Sequence, residues 1–411
     1  MYRFAKAGWC SLFILLLLYN PAAMAAPLAP YHIYMDADWS GANPSSQAIE
    51  WGIRTALDER NNTIAGHPVK IVRANHRGNN RRHLRNQQIF LDDARALLVY
   101  SGLHSPPLLA NKKFINDHAI LTLNPWAAAG PITRSLAPNW IFRLSIDDAV
   151  AGQVIVHHAL TKRGFKKLVL IAEDTSWGRF NHQNMSKKAN EYGMEELPVI
   201  WSNWGISKAA AKIILRQAAS MGADAVLLVV NPAESITFAT AMAELEPQRR
   251  RPIQSHWGVS AGSFSQKVGE NVLKVLDLEY VQTRFSFLNG MLSEHAKQVL
   301  ARAMRLFPDA IKTPQHIRPP AGFKHAYDLT RILLAAADQV QLSGDVKQDR
   351  LLLHHALEHL QTPVQGLIKT YHMPFSPPKS DTSDDHEALH IHDFTMATFD
   401  VLGNVQIQQE P

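Results

Sequence analysis

The chain has 411 residues, 46% of them apolar, and its 42 lysines and arginines against 36 acidic residues leave a formal balance of +6. At roughly 150 residues per domain this length predicts about two domains, and so modest a charge excludes the global basic footprint of a nucleic-acid-binding chain. Beyond the N-terminal segment no stretch reaches the ~18–20 uninterrupted apolar residues of a membrane-spanning helix.

Met1 to Ala26 opens with Arg3 and Lys6, continues with the apolar run Ser11 to Tyr19 and ends in Ala22-Ala-Met-Ala-Ala26. That is the order of a secretory signal, with cleavage expected after Ala25, and the apolar run is too short for a permanent span. The mature chain is therefore expected to be exported and soluble, without a membrane anchor, and with a balance of +4 once Arg3 and Lys6 are removed. The single cysteine, Cys10, precedes the leucine run, so no lipid anchor is expected and the mature chain has no disulfide. A chain of this size can bury enough apolar surface to fold without one.

Short β-branched runs alternating with segments of helical period predict an α/β protein with parallel sheets. In chain order the expected strands are His32–Met35, Val69–Val72, Ala96–Tyr100, Ala119–Leu123, Trp140–Leu144, Leu168–Ala172, Ala225–Val230, Leu278–Thr283 and Phe394–Phe399. Expected helices include Gln47–Arg60, Ala149–Arg163, Lys208–Met221, Glu234–Leu245 and Phe323–Val340. Arg81 and Arg85 sit four apart on a further helix whose other face carries Leu84, Ile89 and Leu91, so this basic cluster reads as a solvated face. The pattern restarts near Asp147, which predicts two similar lobes. Pro374 to Asp385 reads as a surface loop.

The motifs at the strand ends carry a resemblance. They are Asp38-Trp-Ser-Gly41, Asp58-Glu-Arg-Asn61, Gly66-His-Pro-Val-Lys70, Ser101-Gly-Leu-His-Ser105, Asn124-Pro-Trp-Ala127 and Phe142-Arg-Leu-Ser145. Glu173-Asp-Thr-Ser-Trp-Gly178, Gly222-Ala-Asp-Ala-Val226 and Ala326-Tyr-Asp-Leu329 continue the series. In this order the chain resembles the type I periplasmic substrate-binding proteins of ABC transporters, the leucine/isoleucine/valine-binding family. The resemblance implies two Rossmann-like lobes joined as a clamshell by three hinge crossovers, with residues 31–146 and 282–372 in one lobe and 147–281 and 373–411 in the other. It implies capture of a small amino-acid-like or organic ligand for ABC-transporter permease subunits, by a monomer without cofactor, metal or catalytic activity. A periplasmic sensor presenting its closed form to a signalling receptor is the alternative.

The same resemblance places Ser105 and the backbone of Ala127 and Ala128 at the ligand's polar head. Trp177 stands where the family has an aromatic, Asn231 where it often has a tyrosine, and Trp257 where a carboxylate grips an ammonium. Without that carboxylate, Trp126, Trp177 and Trp257 point to a flat, apolar or cationic body held by stacking; core packing is the competing role for each. Trp51, Trp140 and Trp201 read as core. Asp38 and His104 are ligand contacts or, equally, partners in a loop-capping hydrogen bond.

Two catalytic patterns compete with this reading. Gly258-Val-Ser260-Ala-Gly262 matches a nucleophile elbow, for which Asp328 and His390 are the available partners of a serine hydrolase; a glycine-rich cleft loop is the plainer reading. His355-Ala-Leu-Glu358-His359 matches an inverted zinc-peptidase motif, with His386, His390 and His392 as outside ligands. Against it, His354, His355 and His359 read as the outer face of a helix whose core face is Leu352, Leu353, Ala356, Leu357 and Leu360.

Overall fold

The structure, a computed structural model, describes residues 1–2, 28–261, 263–288 and 290–408. The secretory-signal features and Cys10 fall on residues 3–27, outside that set. β1 (Tyr31–Ala37) leads into α1 (Asn43–Asp58), and β2 (Thr63–Ile64) turns back onto β3 (His67–Asn75). α2 (Asn80–Asp92), β4 (Ala96–Ser101), α3 (Ser105–Asp117), β5 (Thr122–Asn124) and β6 (Ile141–Arg143) follow. The second series runs through α4 (Asp148–His157), β7 (Leu168–Glu173), α5 (Ser176–Glu191), β8 (Val199–Ser202) and α6 (Lys208–Ser220). It continues with β9 (Ala225–Val229), α7 (Pro232–Ala243), β10 (Ile253–Ser255), α8 (Phe264–Leu273) and β11 (Leu278–Thr283).

The chain then returns to the first lobe, where α9 (Glu294–Leu306) and α10 (Pro320–Ala337) pack on α1, and α11 (Val346–Glu358) packs on α10 and β4. After the hairpin of β12 (Val364–Gln365) and β13 (Thr370–Tyr371), it crosses again to β14 (Phe394–Phe399) and β15 (Val405–Ile407). The sheets have the orders β2-β3-β1-β4-β5-β6 and β15-β14-β11-β10-β9-β7-β8. They are parallel apart from β2, β14 and β15. Three passages therefore link the lobes: after β6, after β11 and before β14. Continuous apolar strands such as β4, β7 and β9 are buried along their whole length, as strands covered on both faces must be.

Several local expectations are corrected. The strand expected at Ala119–Leu123 is the shorter β5, because Ala119 takes a φ of 49° in the turn out of α3. The helix expected over Ala149–Arg163 ends as α4 at His157 and continues as a wider π turn, His158–Lys162. This turn sets His158 and Arg163 against Glu279 of β11. Arg81 and Arg85 are exposed as expected, but α2 buries His83, Gln87 and Phe90, while Ile89 stays exposed. On α11, His354 turns inward and Leu352 is only half-buried. Trp140 is core; Trp51 and Trp201 are half-buried.

The inward face of α2 is polar because it serves Asp36, a fully covered carboxyl on β1. Asn86 donates to its Oδ1 at 2.7 Å and Gln87 to its Oδ2 at 3.0 Å, and His83 Nε2 lies 3.7 Å away. Burial pushes the Asp36 carboxyl up to about 8, against the pull of Asn86 and Gln87. A carboxyl raised in the folded state contributes stability that is complete below its unfolded pKa and is lost as pH rises through the folded one. Asp36→Asn removes this titration. The stability of the variant relative to wild type is thus expected to grow by a few kcal/mol between about pH 4 and pH 8. Calorimetry at both ends of that range would refute this if the difference stayed constant.

Candidate functional site

Five loops leave the carboxyl ends of strands from both lobes and converge on one recess of about 350 Å³, counting its open mouth. From the first lobe, the loop after β4 supplies Leu103, His104, Ser105 and Pro106, and the loop after β5 supplies Trp126 and Ala128. From the second, Trp177 follows β7, Asn231 follows β9, and Trp257 and Gly258 follow β10. Beyond strand C-termini is where open α/β sheets hold ligands.

Close backbone approach positions two of these side chains. A Cβ on Gly178 would lie 1.9 Å from the Glu173 carbonyl oxygen, so only glycine permits the tight turn that presents Trp177 at the start of α5. Likewise a Cβ on Gly258 would meet the Val230 carbonyl oxygen at 1.9 Å, and its absence lets the Trp257 and Asn231 loops lie together. This packing accounts for the first glycine of the elbow-like motif.

The tryptophans form a connected aromatic floor. Trp257, 3% exposed, lies 5.5 Å from Trp126 and 5.4 Å from His325 of the first lobe, between ring centroids. It also lies 5.9 Å from His256, which meets Trp177 edge-on at 5.3 Å. His256 and Asp148, both fully buried, approach to 2.8 Å beneath this floor. The recess and the core are therefore continuous: all three cleft tryptophans line the hollow and belong to the core, and Trp126 and Trp257 pack the lobes together.

Polar groups are few. Ser105 Oγ accepts from the Ala129 amide at 3.2 Å, which leaves its own O–H to donate. Trp126 Nε1 and His104 Nδ1 are buried donors or acceptors without a hydrogen-bond partner among the described residues. Asn231 is held to Glu173 through its side-chain and backbone nitrogens, the former at 2.8 Å. Glu173 also accepts from Trp204 Nε1 at 2.7 Å, and burial raises its carboxyl to about 6 against these donors. No lining residue is an aspartate, glutamate, lysine or arginine.

Asp38 and Ala127 stand behind the recess wall. Asp38 Oδ1 accepts from the amides of Ser40 and Gly41, and Oδ2 lies 3.3 Å from His104 Nε2, a loop-capping arrangement that orients His104. The Ala127 carbonyl accepts from Asn124 and Arg143. Sequence reasoning missed Trp204, which reaches from the second lobe to His104, 6.1 Å between rings, at the cleft rim. Its signal was a tryptophan just after β8, a strand too short to stand out.

The groups of the serine-hydrolase pattern do not meet, and of the zinc-peptidase pattern only Glu358 and His386 come together, 3.1 Å apart. Ser260 donates to the Trp257 carbonyl and accepts from Gln282, with neither histidine nor carboxylate among these partners. Asp328 accepts from the Leu367 and Ile368 amides and the Tyr371 hydroxyl, and the His390 amide donates to Asp393. His355 and His359 stack on the exposed side of α11. A larger hollow of about 550 Å³, lined by both lobes, is bordered by Ser260 alone among the expected site residues.

Two sheets whose strand-end loops face one another across an aromatic recess define an α/β clamshell of the ligand-binding class. The chain belongs to the family described as periplasmic binding protein, which matches residues 37–400. Its fold is shared with a solute-binding protein of an ABC transporter from Rhodopseudomonas palustris HaA2, solved with p-hydroxybenzoic acid. The two are 14% identical, 93% of this chain and 96% of that one are covered, and the TM-score is 0.75. A leucine-binding protein from Thermotoga maritima gives 16% identity, coverage of 92% and 98%, and a TM-score of 0.72. The branched-chain amino acid transporter substrate-binding protein of Streptococcus pneumoniae, in complex with isoleucine, gives 15%, 93% and 100%, and 0.70. No curated protein matches in sequence.

Proposed function

We propose that this protein captures a small, weakly charged organic ligand with a flat body between its lobes and presents the closed form to the permease subunits of an ABC transporter, without catalysing a reaction. It acts as an exported monomer, with lobes formed by residues 31–146 with 282–372 and by 147–281 with 373–411. The observation that carries this reading is the convergence of three tryptophans from both lobes, and the Ser105 hydroxyl, on a recess lined by no permanently charged side chain. A free ammonium or a multiply charged anion entering this site would lose its hydration without a charged partner. A planar ligand gains stacking from the rings and one hydrogen bond from Ser105.

Native mass spectrometry of the freshly purified protein identifies a co-purifying ligand. Titration with p-hydroxybenzoate, benzoate and isoleucine then ranks planar against aliphatic compounds, and compaction in small-angle scattering reports closure. Trp177→Ala is expected to weaken binding of the best ligand by roughly 1–3 kcal/mol, the range for a lost aromatic anchor. Unchanged affinity in the folded variant would remove Trp177 from the site.

A further inference from the structure

On the far side of the first lobe, α11 meets the segment that returns to β14. There His354 and Glu358, one helical turn apart, face His386, with one ligand-type atom from each lying within 4.8 Å of the others. His386 Nε2 is 3.1 Å from Glu358 Oε1, and His354 Nδ1 is 3.6 Å from Glu358 Oε2. His386 is fully buried, and its two partners are only 9% and 14% exposed at the side chain.

The second nitrogen of each ring decides the chemistry. His386 Nδ1 lies 3.0 Å from the Ile141 carbonyl oxygen, and His354 Nε2 lies 2.8 Å from that of Asn139. A carbonyl only accepts, so those nitrogens carry the protons, and in the neutral rings the lone pairs of His386 Nε2 and His354 Nδ1 point at the carboxylate. Lone pairs converging on a carboxylate repel unless a proton or a metal cation lies between them. Histidines oriented by backbone carbonyls through the far nitrogen are the outer-shell arrangement of metal ligands. Phe142 stacks on His386 at 4.0 Å and Trp140 packs on His354 at 4.3 Å, which fixes both rings and screens them from water.

The geometry points to a two-histidine, one-carboxylate site for a divalent transition-metal ion, formed by His354, Glu358 and His386 and taking zinc with water as fourth ligand. Tetrahedral zinc with bonds of about 2.0–2.1 Å sets its ligand atoms a little over 3 Å apart, which the two nitrogen–oxygen separations approach. The sequence motif led elsewhere: its His355 and His359 lie on the exposed face, and the inward neighbour His354 takes the place they were expected to fill. A bound ion would fasten the return segment to α11 beside the interlobe crossing. Its test is independent of any ligand in the cleft.

The full mature protein, freed of any histidine tag, is equilibrated with micromolar Zn²⁺ and dialysed. Bound metal is then measured, and the melting point is followed with and without Zn²⁺. The expected result is one zinc per chain and a higher melting point, because an ion bound only by the folded state stabilises it. Glu358→Gln, nearly isosteric, is expected to weaken zinc binding by more than the ~10–100-fold typical of losing an outer-shell partner. His354→Ala should do the same, and Co²⁺ should give tetrahedral visible absorption in the wild type alone. The double substitution His355→Ala and His359→Ala should leave zinc binding intact. The proposal is overturned if the wild type takes up no zinc, if Glu358→Gln and His354→Ala retain it with unchanged affinity, or if the surface double variant loses it.

Discussion

Replacing Glu387 with leucine is expected to cost roughly 3–5 kcal/mol of folding stability, because it takes the two-pronged partner from a guanidinium in the interior and leaves it only Asp147, at 3.4 Å, as a carboxylate partner. Arg143, on β6, has no exposed surface; its Nε and Nη2 donate to Glu387 at 2.8 and 2.6 Å, and Nη1 donates to the Ala127 and Ala129 carbonyls. The backbone is stitched at the same place, with the Arg143 amide bonded to the His386 carbonyl and the Ala388 amide to the Arg143 carbonyl. The pair thus joins the end of the first sheet to the segment that crosses to the second. The double variant with Arg143→Met should be less damaged than Glu387→Leu alone, since both buried charges are then gone. Denaturant titrations in which the two single losses simply add would refute this account.

Trp257→Ala is the second large effect, a loss of about 3–5 kcal/mol from the missing ring and the cavity it leaves. The side chain belongs to the second lobe but packs on Trp126 and His325 of the first, so its removal weakens the contact between lobes as well as the core. Small-angle scattering of the ligand-free variant should accordingly show a larger radius than wild type. A melting point that barely moves would mean that Trp257 is already free of the first lobe in solution, and that the closed arrangement forms only with ligand.

Much of this architecture is legible in the sequence, since strands buried on both faces write continuous apolar runs. β11 and β14 have the expected limits, and the strand-end motifs around Ser105, Trp126, Trp177 and Asn231 mark the loops that meet at the recess. What escapes is set by long-range polar contact. The inward face of α2 is His83 and Gln87 because Asp36, some fifty residues earlier, needs partners, and apolar periodicity chose Leu84 and Ile89 instead. Glu173 acquires its role from Asn231, 58 positions away, and from Trp204. His354 and His386 become neighbours only through the return of the chain past β6.

The start of α3 carries a consequence for selectivity. Its first residues are Ser105, Pro106 and Pro107, so the first turn that borders the recess has lost two of the backbone amides a helix ordinarily offers there. Sulfate and phosphate are gripped at such helix mouths by several N–H groups at once. Here Ser105, with its own amide and hydroxyl, is nearly alone. A tetrahedral oxyanion entering the cleft would leave most of its oxygens dry, whereas a single carbonyl or hydroxyl oxygen is satisfied. If the recess holds the ligand as proposed, these two prolines disfavour inorganic anions there.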